Sequence, residues 1–108
     1  MAPTPPLIIA AKARNIVECR RLIETGEANV NADRDGSGWT ALHWASNRGY
    51  LDIAELLVSS GADMNIGTNS GMTALHFASY NGYLDIAELL VSSGACMTIG
   101  SSMGMVAA

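Results

Sequence analysis

The stretch that decides the reading is Gly38 to Ile66, GWTALHWASNRGYLDIAELLVSSGADMNI, which returns 33 residues later as Gly71 to Ile99, GMTALHFASYNGYLDIAELLVSSGACMTI. Only six of the 29 aligned positions differ: Trp39/Met72, Trp44/Phe77, Asn47/Tyr80, Arg48/Asn81, Asp63/Cys96 and Asn65/Thr98. A fixed period of about 20 to 50 residues marks a repeat architecture, in which each unit buries its apolar face against the next.

Punctuation inside the unit predicts two short helices. In the first, Thr40 is placed to cap the N-terminus, Leu42, Ala45 and Ser46 share one face, and Gly49 can take the left-handed conformation that ends a helix. In the second, Asp52 lies near the positive end, Ile53, Ala54, Leu56 and Leu57 form the apolar face, and Gly61 stops it. Gly67 to Gly71 reads as a polar, hairpin-like turn. Both helices fall near or below the length of about 12 to 15 residues at which an isolated helix becomes marginal, so stacking must supply the stability.

Working backwards, Leu7 to Gly26 has the length of Leu42 to Gly61, with Ala10 falling on Ala45, Ile16 on Leu51 and Leu22 on Leu57. This first unit lacks the TALH stretch and reads as a worn N-terminal cap. Working forwards, Gly104 to Ala108 lines up with Gly71 to Leu75. The expected division is a degenerate repeat over residues 5–36, full repeats over 37–69 and 70–102, and the start of another over 103–108.

The chain has 108 residues, room for one domain that buries roughly 60 to 65% of its unfolded surface, which argues against a deep catalytic cleft. Six Lys and Arg against ten Asp and Glu give a net charge of −4, a poor match to phosphate backbones, so nucleic acid is not expected as a partner. Leu7 to Ala11 is the only apolar run near the start, too short to span a membrane and without the positive charge of a signal peptide. Cys19 and Cys96 match no metal-ligand or redox spacing and read as free thiols of a reducing compartment, the cytoplasm or the nucleus.

The 33-residue period together with Gly-x-Thr-Ala-Leu-His-x-Ala, Gly49/Gly82, Ile-Ala-Glu-Leu-Leu and Gly-Ala-Asp-Met-Asn resembles the ankyrin repeat family over roughly Leu7 to Ala108. Ala41 and Ala74 stand where that family usually has proline, Ser46 and Ser79 where it has a second alanine, and Tyr50 and Tyr83 where it has histidine. The resemblance implies an all-α solenoid of stacked helix-turn-helix units with short hairpin connections, and function by binding other proteins. Fold by itself does not fix function.

Thr40 with His43, and Thr73 with His76, place an imidazole three residues after a hydroxyl, a spacing a nucleophile and base could also use. Because both copies keep the pair, and because the resemblance implies that it ties the turn to the neighbouring repeat, it is read as structural. Two histidines one helix spacing apart, roughly 9 to 10 Å, cannot share a metal ion. No cofactor is expected, since the glycines recur as repeat punctuation and form no phosphate loop.

A duplicated unit keeps its packing residues and varies where it faces solvent or a ligand. The resemblance implies contacts at the hairpin tip, at the residue before the threonine and at the two residues before the first helix's terminal glycine. The expected protein-binding surface is therefore Ser37, Trp39, Asn47, Arg48, Asn69, Ser70, Met72, Tyr80 and Asn81, extended by Ser102, Met103 and Met105. Trp44 and Phe77 are expected in the core between helices. A minor reading makes Asn65 a modification site, since Leu57 and Asp63-Met64-Asn65 resemble the spacing in substrates of asparaginyl hydroxylases.

The unit from Gly71 to Ile99 has an inner-type sequence, so Leu84, Ile86, Ala87, Leu89 and Leu90 are expected to leave apolar surface at that end. Either the chain is a fragment of a longer array or this face is covered by a partner or a second copy. The leading expectation is a non-enzymatic protein-binding module; the alternative is a structural spacer within a larger repeat protein.

Overall fold

The computed structural model describes residues 4–94, which form six helices: α1 (Pro6–Lys12), α2 (Ile16–Glu24), α3 (Ala41–Arg48), α4 (Leu51–Ser59), α5 (Ala74–Asn81) and α6 (Leu84–Ser92). They pair as α1 with α2, α3 with α4, and α5 with α6. The first helices stack as one layer, α1 on α3 on α5, and the second helices as another, α2 on α4 on α6. Among the described residues no strand forms, so the expected hairpins are turns only.

Each boundary has a local cause. Pro6, with its fixed φ and no amide proton to lose, opens α1. The Asn15 side chain caps α2 by accepting from the Glu18 amide at 3.2 Å. Thr40 and Thr73 open α3 and α5 from extended backbone, and the αL residues Gly49 and Gly82 close them. The first unit closes α1 differently: Arg14 takes the left-handed position at φ 57, its guanidinium 5.1 Å from the Tyr50 ring centre and 3.6 Å from Asp52.

Small residues let the inner helices approach: Ala11, Ala41, Ala45, Ala74 and Ala78 are buried where the inner layer stacks. Leu7, Ile8, Leu22, Ile53, Leu57, Ile86 and Leu90 fill the space between the two layers. Gly49 is required twice over, by its φ of 79 and because a Cβ there would lie 2.8 Å from the Tyr83 ring. The Ser46 hydroxyl is buried in this interface without a hydrogen-bond partner.

One expectation about the exposed end is corrected. Ile86 and Leu90, four residues apart, turn inward and are fully covered. The surface left open belongs to Leu84, 71% exposed, and Val91, with half-buried Ala87 between them. These three recur at the i, i+3, i+7 spacing of a separate stripe of α6, and with Leu75 and Ser79 of α5 they line a shallow hollow.

Turns equivalent to one another project between units. Asp35 N–H donates to the Trp39 carbonyl at 3.1 Å, and Thr68 N–H to the Met72 carbonyl at 2.9 Å. The two turns join through Asn69 N–H on the Ser37 carbonyl at 3.1 Å. The Asn31 side chain ties the first two units by accepting from Asp63 N–H at 2.6 Å and donating to the Gly61 carbonyl at 3.2 Å.

Candidate functional site

His43 is fully engaged. Its Nδ1 accepts the Thr40 N–H at 2.8 Å with the Thr40 hydroxyl 3.0 Å away, so Nδ1 carries no proton and Nε2–H donates to the Ile66 carbonyl at 2.8 Å. Burial is the main cause that holds its pKa below the ordinary histidine value. With both nitrogens committed to backbone groups, His43 offers no lone pair to a substrate. His76 repeats the first half of the arrangement, accepting Thr73 N–H at 2.9 Å.

Among the described residues no three His, Cys, Asp or Glu side chains gather as a metal site. Cys19 is buried and its thiol is pushed up to about 11, chiefly by desolvation, so it is a poor nucleophile. Cys96, like Ser102, Met103 and Met105 of the expected contact surface, lies outside the described residues.

The inner helices and the turns before them carry a grid of side chains on one side of the molecule. The sequence offsets that align the units place Thr4, Trp39 and Met72 in one register, Ile9, Trp44 and Phe77 in a second, Lys12, Asn47 and Tyr80 in a third, and Ala13, Arg48 and Asn81 in a fourth. At its centre Trp39 lies between two rings, 4.5 Å from Trp44 and 4.4 Å from Phe77 by centroid, and the Phe77 ring stands edge-on to His43 at 5.8 Å. Trp39 is therefore half-buried, with one ring of its own unit and one of the next against it.

Asp35 organises this centre. Its carboxylate accepts Ser37 N–H at 2.9 Å, Trp39 N–H at 3.1 Å and the Trp44 indole N–H at 3.0 Å. Lys12 Nζ and the Arg48 guanidinium lie 4.8 and 5.2 Å from the centre of the Trp44 ring. Trp44 is thus half-buried, packed against the core on one side and met by cations on the other, while its counterpart Phe77 is buried as expected.

These repeating inner helices, glycine-closed turns and Thr-His caps are matched by a family model described as ankyrin repeats (3 copies), over residues 3–68 and 38–100. The chain belongs to the ankyrin repeat family. Relatives include mouse ankyrin repeat domain-containing protein 40, 41% identical over 59 residues, covering 55% of this chain and 16% of that protein. Mouse 2-5A-dependent ribonuclease is 46% identical over 57 residues, 53% of this chain and 8% of that protein. Human protein phosphatase 1 regulatory subunit 27 is 48% identical over 47 residues, 44% of this chain and 30% of that protein. The ankyrin chain thus spans a minor part of each. Ankyrin repeats are in general protein-interaction modules without catalytic activity, though some relatives are enzymes that carry an ankyrin region. No described helix is long and apolar enough to cross a membrane.

Of the contact residues expected from the ankyrin resemblance, Tyr80 is 86% exposed, and Arg48, Ser37, Asn69, Ser70 and Asn81 are exposed as well. Met72 and Asn47 are half-buried. Several also serve the fold: Asn81 Nδ2 donates to Asn47 Oδ1 at 3.1 Å and to the Phe77 carbonyl at 2.9 Å, and the Asn69 side chain donates to the Gly36 carbonyl at 3.3 Å. Sequence reasoning missed Lys12 and Ile9. Their signal was the 35-residue offset of the first unit, which sets Lys12 on Asn47 and Ile9 on Trp44.

Proposed function

We propose that this chain is a non-enzymatic binding module that holds a protein partner on the inner-helix face and the turn tips. The observation that carries this is Tyr80, a tyrosine 86% exposed on α5, the helix whose Phe77 packs on Trp39, with Arg48 exposed at the end of the neighbouring α3. Large aromatic rings and arginines dominate binding hot spots, and side chains set on a stacked scaffold lose little entropy on binding. Engagement of both His43 nitrogens supports the absence of catalysis at the Thr-His pair. The repeat division 5–36, 37–69, 70–102 and 103–108, and a cytoplasmic or nuclear setting, belong to this reading.

The test is quantitative affinity capture from host lysate with the parent chain and with Tyr80→Ala plus Arg48→Ala. Proteins retained by the parent and lost by the variant, with unchanged circular dichroism, support the module; retention of the same set by both overturns it.

A second reading, a spacer within a longer repeat protein, is favoured by the small share of each relative that the chain spans. The open Leu84–Val91 stripe suits either a further repeat or a second copy. Sedimentation that shifts with concentration supports self-association, and a strict monomer removes it.

A further inference from the structure

We propose that the binding face takes an acidic segment of its partner, with a carboxylate seated between Lys12 and Arg48 and an apolar neighbour on Ile9. The inference rests on the binding-module reading and names the chemistry that the face recognises.

Three observations support it. Lys12 and Arg48 both approach the Trp44 ring, within 4.8 and 5.2 Å of its centre, so their charges lie within about 10 Å of each other, close to one screening length in physiological salt. Ion pairs among the described residues involve Arg14 and Arg21, and neither Lys12 nor Arg48 belongs to one. Asp35, whose carboxylate meets the ring at the indole N–H, is already held by three N–H donors. Two like charges drawn to one ring repel each other, and an anion between them removes the repulsion while keeping both cation–π contacts.

Thr4, Ile9, Lys12, Ala13 and Arg48 line an open hollow beside this pair, with Ile9 57% exposed in it. A hollow that is cationic on one side and aliphatic on the other suits a carboxylate followed by an apolar side chain. The chain's net charge of −4 makes this a local positive site on an acidic molecule, which disfavours a long polyanion such as nucleic acid.

The probe is a phage library of short random peptides panned against the folded chain at low salt. Selected sequences are expected to be rich in Asp or Glu beside an apolar residue, and to bind about tenfold more weakly to Lys12→Glu plus Arg48→Glu. That variant should in turn prefer a selected peptide whose acidic residue is replaced by lysine. Should the reversal unfold the chain, Lys12→Gln plus Arg48→Gln gives the same reading. Peptides without acidic enrichment, which survive the charge change but are lost on Tyr80→Ala, overturn the acidic preference and leave the module standing. Tighter retention of a phosphopeptide or single-stranded oligonucleotide than of the carboxylate peptide also overturns it. Failure of any peptide to bind this face overturns both.

Discussion

His43 reaches the Ile66 carbonyl across 2.8 Å, joining an inner helix to the chain that enters the next turn. This bond needs Nε2–H, and the bond that Nδ1 accepts from Thr40 N–H needs an unprotonated Nδ1, so protonation of the ring breaks the second; burial favours the neutral form that makes both.

Because the folded-state pKa of His43 lies below its unfolded value, its contribution is present above about pH 6.5 and is lost as pH falls from there towards the lower folded value. Thermal melts between pH 7.5 and pH 5 should show Tm falling with acidity, and His43→Gln should remove most of that slope while lowering Tm at neutral pH. An unchanged slope in the variant would place the acid sensitivity elsewhere.

Trp39→Ala removes a half-buried ring held between Trp44 and Phe77, and should cost about 2 kcal/mol. Urea unfolding measures it. A loss below about 0.5 kcal/mol would return Trp39 to the class of purely exposed anchors.

Ser46 buries a hydroxyl without a partner in the contact between inner helices. Ser46→Ala is expected to raise stability by about 1 kcal/mol, since the desolvation penalty disappears while the packing stays. Ser79→Ala, at an exposed position of the next unit, should change little.

Arg14 holds a left-handed conformation that its cation–π contact and exposed ion pair with Asp52 only partly offset. Arg14→Gly should stay within about 0.5 kcal/mol of the parent, relief of strain balancing lost contacts and added chain entropy. Arg14→Val, which keeps the strain and adds β-branching, should cost about 1 to 2 kcal/mol in the same unfolding assay.

The fold was legible because duplication separates constraint from freedom: Thr40/Thr73, His43/His76 and Gly49/Gly82 persist in both copies, and each has a bond or a positive φ to account for it. The binding face was legible only in part. Tyr80 and Arg48 stand out as differences between copies and are exposed. Trp39 and Trp44 could not be placed as they are, because a ring's exposure depends on which neighbour it meets: Trp39 gained Phe77 from the next unit, and Trp44 gained Lys12 from the worn first one. Leu84 and Leu90 are both leucines of one amphipathic run, and the covered one is that on the side of α6 that meets its neighbours α5 and α4.

The central claim, that the exposed positions at which the copies differ, Tyr80 and Arg48 foremost, bind while the shared ones build, is tested most directly by one paired measurement on Tyr80→Ala with Arg48→Ala. Affinity for a captured partner and Tm are read on the same sample. A fall in affinity of at least about tenfold, with Tm within about 2 °C of the parent, is the expected result. Unchanged affinity, or a loss of affinity that merely follows a loss of Tm, would contradict it.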